Sequence, residues 1–350
     1  MMPTKLADDR LYAFVFGPGK GECTVLWIPP GVWVVVDSCK VGNQAAALHV
    51  LAKYAGKCGC LMLTHRHHDH YGEMPSVMSF GDWDTLACND LKVEHDDDPE
   101  AGKKGDLEET LSRLRARLKG DASRFWWTWR ADQKCFGDAL LTVLHPEEAF
   151  SRQKPNRKVS ELNEISSAVL VQWHGVTLLL GADTPNPYWR RISESFQKKF
   201  AINEHTFAKL PHHGSAGALD HCFLNGSTSR IWVTTPYNSG PKKLPAFADG
   251  DGIEQMLQHV SEVHLTGLPI SHSNQSDSPC VATRQQLRDG LGPTPNSFDL
   301  PGYSGVDLTP NPANPSCYVI TSFAASGNAN IEAYGPGSVR VTDERGGAVT

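Results

Sequence analysis

Thr64-His65-Arg66-His67-His68-Asp69-His70-Tyr71-Gly72 is the stretch on which the fold turns. It follows Gly59-Cys60-Leu61-Met62-Leu63, an apolar run of strand length. His65, His67, Asp69 and His70 spell H-x-H-x-D-H, three imidazoles and a carboxylate within six residues. A strand ending in a tight loop would aim His65 and His67 to one side and turn Asp69 and His70 to the other. Such a loop supplies two neighbouring metal sites with nitrogen and oxygen donors, the set favoured by zinc and similar divalent ions. The alternative is a polar surface loop with accidental histidines, and these ligand types rarely co-occur by chance at this spacing.

Four further features fall in order along the chain. Val32-Trp33-Val34-Val35-Val36 reads as a buried strand ending at Asp37, and Val176 to Leu180, followed by Gly181-Ala182-Asp183, as another with an acid at its tip. Phe207 to Pro211 runs into His212-His213-Gly214-Ser215, and Leu140 to Leu144 ends at His145-Pro146. An Asp after a strand is usually a turn former or a helix cap. Following H-x-H-x-D-H in this order, the same residues read as a metal site.

These motifs resemble the metallo-β-lactamase superfamily, and within it the hydrolase domain attached to DNA-uptake channel proteins of competent bacteria, the ComEC type. Gly19-Lys20-Gly21-Glu22-Cys23-Thr24-Val25-Leu26 and Asp37-Ser38-Cys39 look like the Gly-rich turn, strand and Asp-Thr-Gly that open that branch. Leu144-His145-Pro146, Asn163-Glu164-Ile165-Ser166, Gly181-Ala182-Asp183 and His212-His213-Gly214-Ser215 look like its later hallmarks. The resemblance spans roughly residues 10 to 270. It implies an α/β fold, a four-layer αββα sandwich, with two divalent metal ions, Zn or Mn, at one edge.

The ligand set implied by the resemblance is His65, His67 and the bridging Asp183 for the first metal. The second takes Asp69, His70, Asp183 and one histidine of the His212-His213 pair, His213 being favoured because it directly precedes the glycine. His145 is a candidate third imidazole for the first metal, against a buried or supporting role. Asp37 is expected behind the ligands, orienting a metal histidine. A water held between two divalent ions ionises near neutral pH and can attack phosphorus or carbon. Asp69, His212, Tyr71 and Ser215 are the candidate catalytic residues, the last three for protonating a leaving oxygen.

With 40% hydrophobic and 21% charged residues, the chain of 350 has the composition of a soluble globular protein. No stretch approaches the ~20 apolar residues of a membrane span, and Met1 to Arg10 lacks the apolar core of a secretory signal. Nine cysteines in no disulfide or zinc-knuckle spacing point to reduced thiols and a cytoplasmic setting. A net charge of -6 offers no global attraction to polyanions.

A single elaborated domain over 1–350 is expected, with an insertion at 88–134 and an irregular C-terminal elaboration at 264–350. Gln44 to Tyr54 and Leu107 to Lys119 have helical composition, the latter capped near Asp106, and Glu94 to Glu100 is an acidic run. Arg124-Phe125-Trp126-Trp127-Thr128-Trp129-Arg130 reads either as aromatic packing on the core or as a lid. In the second case Trp127, Trp129, Arg130 and Asn163 would bind substrate, tryptophans stacking on a flat group and arginine holding phosphate. The basic stretch Arg152 to Lys158 is solvated loop charge or a phosphate contact. Cys317 to Thr321 and Ala329 to Tyr334 read as a closing hairpin, and His272 and Cys280 as loop residues.

The expected activity is metal-dependent hydrolysis of a phosphodiester, with nucleic acid among the substrates. Ester, lactone or thioester hydrolysis on the same site is the alternative, as is a partner-gated component docking through the insertion or C-terminal loops.

Overall fold

The computed structural model describes residues 2–17, 21–91, 104–149, 158–200, 202–219, 230–239, 242–245, 252–267, 280–283, 318–335 and 338–342. The acidic run Glu94 to Glu100 with His95, the basic stretch except Lys158, and most of 264–315 with His272 lie outside these residues.

Two large mixed sheets organise the chain. The first has the spatial order β20 (Ala329–Tyr334), β19 (Tyr318–Ala324), β1 (Arg10–Phe16), β2 (Cys23–Ile28), β3 (Val32–Val36), β6 (Lys57–Met62), β7 (Thr85–Cys88) and β8 (Phe125–Trp127). The second runs β18 (Cys280–Thr283), β21 (Val339–Thr342), β17 (Glu262–Leu265), β14 (Ile231–Thr234), β13 (Phe207–Lys209), β12 (Val176–Leu180), β11 (Ala168–Trp173), β10 (Ala139–His145) and β9 (Gln133–Phe136). Small antiparallel hairpins, β4 with β5 (Lys40–Val41, Gln44–Ala45) and β15 with β16 (Tyr237–Ser239, Lys242–Leu244), stand apart. β3, β6, β7 and β8 are parallel, as are β12, β13, β14 and β17.

The strands are continuous apolar runs because both faces of each sheet are covered. Along β1, Leu11, Ala13 and Val15 enter the layer between the sheets, while Tyr12, Phe14 and Phe16 join the helix-side core. Along β12, Val176, Leu178 and Leu180 point to the same middle layer and Leu179 to the opposite side. Period-two alternation thus divides each run between two cores. Truncating a middle-layer residue such as Leu141 to Ala would cost about 2–5 kcal/mol.

The helices supply the outer layers. α1 (Leu48–Leu51), α2 (His68–Tyr71), α3 (Met74–Phe80) and α4 (Lys104–Gly120) place Val50, Leu51, Tyr71, Met74, Val77, Leu111 and Leu114 against the first sheet. α5 (Asn186–Phe200) sets Trp189, Ile192 and Phe196 at helical spacing against the second, joined by Ile253, Met256 and Leu257 of α6 (Gly252–Leu257). The four-layer αββα sandwich follows.

Several local expectations are corrected. Gln44 to Tyr54 is not one long helix: Gln44–Ala45 pairs with Lys40–Val41, leaving one helical turn at Leu48–Leu51. Of the described residues of the 88–134 segment, α4 packs Leu111 and Leu114 on the first sheet and β8 forms its edge. Its aromatic density reflects a strand covered on both faces: Trp126 enters the middle layer while Phe125 packs on the helix side. Asp106 lies inside α4 and accepts the backbone N–H of Glu73 at 3.0 Å. Of the C-terminal region, β17 to β21 are ordinary sheet strands, β19 and β20 forming the hairpin at the sheet edge.

Candidate metal centre

The C-terminal ends of the parallel strands meet at one edge of the sandwich, the place where open α/β sheets offer their loops to ligands. Asp37 follows β3, Thr64 to His70 follow β6, Asp183 follows β12, His213 follows β13 and Thr235 follows β14. Three of these turns hold left-handed residues without a glycine: Asp37 (φ 61°), Ala182 (φ 43°), and the pair His212 (φ 46°) and His213 (φ 55°). Such backbone costs of order 1 kcal/mol or more per residue and persists where the surroundings over-determine it.

Two groups of ligand-type atoms converge, each within 4.8 Å: His65, His67 and Asp183, and Glu22, His70, Asp183 and His213. Asp183 belongs to both. In the first, His65 Nε2 lies 3.0 Å from His67 Nδ1 and 3.9 Å from Asp183 Oδ2. In the second, His70 Nε2 lies 3.4 Å from Asp183 Oδ1, and His213 Nε2 lies 3.9 Å from the same oxygen. Asp69 Oδ2 completes that side, 3.2 Å from His213 Nε2 and 3.9 Å from His70 Nε2.

Hydrogen bonds behind the rings decide which nitrogens face inward. Asp37 accepts the Thr64 N–H (2.8 Å), the Thr64 hydroxyl (2.7 Å) and His70 Nδ1–H (2.7 Å), so His70 Nε2 is the nitrogen that faces Asp183. His213 Nδ1 faces the Thr235 carbonyl at 2.8 Å; a carbonyl only accepts, so Nδ1 carries the proton and Nε2 is the nitrogen turned to Asp69. The Thr64 hydroxyl spends its hydrogen on Asp37 and can accept from His65 Nδ1 at 3.1 Å, with Ser166 Oγ at 3.2 Å. Ser166 Oγ in turn accepts the N–H of Asp183 at 2.9 Å.

This donor set fits cations. His70 Nε2 and Asp183 Oδ1 are buried with no hydrogen-bond partner, an inward ring nitrogen and a carboxylate oxygen side by side. Buried polar atoms without partners are costly and rare in native proteins. Glu22, Asp37, Asp69 and Asp183 place four carboxylates here, against which stands the ammonium of Lys209.

The titration behaviour reflects that excess. Burial lowers His70, but Asp37, Asp183, Asp69 and Glu22 outweigh it and hold its pKa well above the ordinary imidazole value. His213 is likewise raised, Asp183 and Asp69 overcoming burial. Burial works to raise Asp69 and Asp183, yet the positive imidazoles, His70 foremost, hold both below the usual carboxylate range. His65 goes the other way, lowered by burial and by the neighbouring His70 and His67.

The other candidates are distributed as follows. His212 is half-buried outside both groups, its Nε2 3.3 Å from the Asn163 amide nitrogen. Ser215 closes the same loop, its N–H on His212 O at 2.9 Å. Tyr71 is packed in the helix-side core of the first sheet, which corrects its placing as a proton donor. His145 also turns away from the ligand role: Nε2 meets Glu164 O at 2.8 Å and its ring packs on Tyr188 at 4.6 Å, because β10 ends beside α5. Arg130 is ion-paired with Glu147 beside a small cavity lined by His145 and Tyr188, and Trp127 and Trp129 stack on each other at 5.8 Å.

Glu22 and Lys209 received no role from the sequence. Glu22 faces Nδ1 of His70 (3.8 Å) and of His213 (3.6 Å), and its carboxylate is ion-paired with Lys209. Its carboxylate thus lies behind the rings, beside their outer nitrogens, rather than among the inward ones. The available signal was a lysine inside the apolar run Phe207-Ala208-Lys209-Leu210, which in a strand covered on both faces demands a buried counter-charge.

No family model and no curated protein matches this sequence. Among solved structures, the chain is similar to CmlA, a diiron β-hydroxylase from Streptomyces venezuelae, at 12% identity over 60% of this chain and 35% of that one, with a TM-score of 0.35. A possible metal-dependent hydrolase from Veillonella parvula matches at 9% identity over 64% and 84%, with a TM-score of 0.35. The metallo-β-lactamase fold protein YhfI from Bacillus subtilis matches at 15% identity over 57% and 70%, with a TM-score of 0.31. The chain spans 38% of one CmlA structure and 35% of another. The architecture of this chain is read from its own strand order and its three cores.

Proposed function

We propose that the chain is a metal-dependent hydrolase holding two divalent cations, zinc or manganese, at the edge where both sheets end. One observation carries the reading: inward-facing imidazole nitrogens from His65, His70 and His213 converge on the two oxygens of a single buried carboxylate, Asp183. His65, His67 and Asp183 would hold one cation; His70, His213, Asp69 and Asp183 the other. Bound there, such ions supply Lewis acidity and a nucleophilic water near neutral pH.

The protein's own groups then have separable tasks. Asp37 and Thr235 fix the ring protons of His70 and His213 on the outer side. To His212, whose Nε2 lies 3.3 Å from the Asn163 amide nitrogen, we assign the passing of a proton to a leaving oxygen. Asp69 is read as a ligand and charge partner of His213, not as a proton carrier.

Within this class we favour a phosphodiester substrate, nucleic acid included, on the motif resemblance to the ComEC-type hydrolase domain. Membrane insertion forms no part of the reading: no helix among the described residues is long and apolar enough to cross a membrane.

Elemental analysis of the purified chain, then incubation with single- and double-stranded DNA, RNA and bis(p-nitrophenyl) phosphate in manganese or zinc, tests both levels. Two bound ions and chelator-sensitive cleavage are expected. A chain that takes up no divalent metal contradicts the whole reading, and turnover of esters or lactones alone replaces the substrate class.

A further inference from the structure

The ion pair between Glu22 and Lys209 is almost fully buried, the two residues exposing 4% and 2% of their surface. Taking both charges out of water is costly, and apolar side chains of similar volume often fill such a space with no loss of stability. A pair retained at this position therefore calls for a role beyond holding the fold. Its surroundings supply one. The Glu22 N–H donates to Asp69 O at 2.9 Å, binding the turn that carries Asp69 and His70. Gly21 permits this approach: its φ is +113°, and a Cβ there would lie 2.6 Å from that of Cys39 and 3.1 Å from Asp69 O.

The carboxylate end reaches the other sheet. Glu22 Oε2 accepts from the Thr235 hydroxyl at 2.8 Å, and Thr235 Oγ1 lies 3.2 Å from His213 Nδ1. With its hydrogen committed to Glu22, the hydroxyl can only accept from the ring, which reinforces the proton on Nδ1 and leaves Nε2 facing Asp69 and Asp183. Lys209 Nζ also lies 3.4 Å from Ala182 O, the carbonyl just before Asp183.

We propose that Glu22, anchored by Lys209, is the positioning residue of the half-site formed by His70, His213, Asp69 and Asp183, aligning His213 through Thr235 and tying the Asp69–His70 turn to the second sheet. The proposal rests on the two-cation reading above and assigns the pair to one cation of the two. The carboxylate faces His70 and His213, so its loss weakens that cation selectively.

The test uses the full chain and Mn2+ or Zn2+ alone, with the affinity of each ion measured by chelator competition and the content by elemental analysis. Two variants are compared with the natural chain: Thr235→Val, which removes one hydroxyl at nearly constant volume, and the neutral pair Glu22→Gln with Lys209→Met. Each is expected to bind one ion about 10–100-fold more weakly, keep the other within about threefold, and retain the far-ultraviolet circular dichroism of the natural chain. Should the double variant fail to fold, Thr235→Val decides alone. Unchanged affinity for both ions in a folded variant, or equal weakening of both, overturns the positioning role. Failure of the natural chain itself to bind metal instead removes the reading on which the role rests.

Discussion

The two halves of the candidate metal centre share Asp183 yet are built from opposite materials. Behind His65 stand hydroxyls, Thr64 Oγ1 and Ser166 Oγ. Behind His70 and His213 stand carboxylates, Asp37 at 2.7 Å from His70 and Glu22 at 3.6 Å from His213. A hydrogen bond to a neutral group nets about 0.5–1.5 kcal/mol, whereas unit charges about 4 Å apart interact by roughly 4 kcal/mol near a protein surface. Burial and the neighbouring His70 and His67 push His65 below the ordinary imidazole value, whereas the carboxylates around His70 and His213 outweigh burial and hold both above it. One residue type thus does two jobs. The charge-rich half is expected to hold its cation tightly, and the charge-poor half, with half-buried His67 at its rim, to exchange it more readily.

The largest effect should come from the residue that both halves share. Asp183→Asn is expected to cut metal content by at least one ion per chain and to bring hydrolysis to background with the fold intact, read by elemental analysis and cleavage assay; an active variant would break the comparison at its root. Next, His67→Ala and His213→Ala should each lose one ion, with His67→Ala keeping the tighter one. If the two variants retain ions of equal affinity, the halves are equivalent after all.

Replacing the supports sharpens the contrast. Asp37→Asn should weaken the tighter ion by about 10–100-fold, while Ser166→Ala should change the weaker one by a few-fold, both followed by chelator competition. A last effect lies outside either half and acts on stability rather than on metal binding. His264, buried between Tyr334 and Glu262, has its pKa lowered by burial to about 4. An unfolded histidine titrates near 6.5, so between these values the unfolded chain binds more protons. Stability contributed by the neutral ring is present above about pH 6.5 and is lost as pH falls towards 4, by about 3 kcal/mol at most. Urea unfolding at pH 7 and pH 5 should show a smaller pH slope in His264→Phe; an unchanged slope would assign the acid sensitivity to other groups, the metal centre among them.

Strands carried by apolar runs were legible because burial on both faces favours Val, Ile, Leu and aromatic residues, as in Val32–Val36 and Val176–Leu180. Asp37, the H-x-H-x-D-H run and Asp183 were legible for a related reason, each standing where such a run stops. The Trp126 strand was harder to read, since aromatic density does not say whether the rings cover a core or line a mouth. Tyr71 and His145 were read by adjacency to ligands, and adjacency in sequence does not set direction: one turn of helix rotates Tyr71 into the apolar layer, and the end of β10 delivers His145 to α5.

Local order along the chain was enough to establish two covered sheets and the donor types at their edge, because periodicity and strand ends are properties of neighbouring residues. Which imidazole nitrogen faces inward, which histidine of the His212-His213 pair joins the cluster, and why a lysine lies buried in β13 depended on groups far apart in sequence. Glu22 meets Lys209 and Thr235 only when the two sheets close face to face. Charge pairing of that kind leaves no periodic trace in the chain, so folding alone could reveal it.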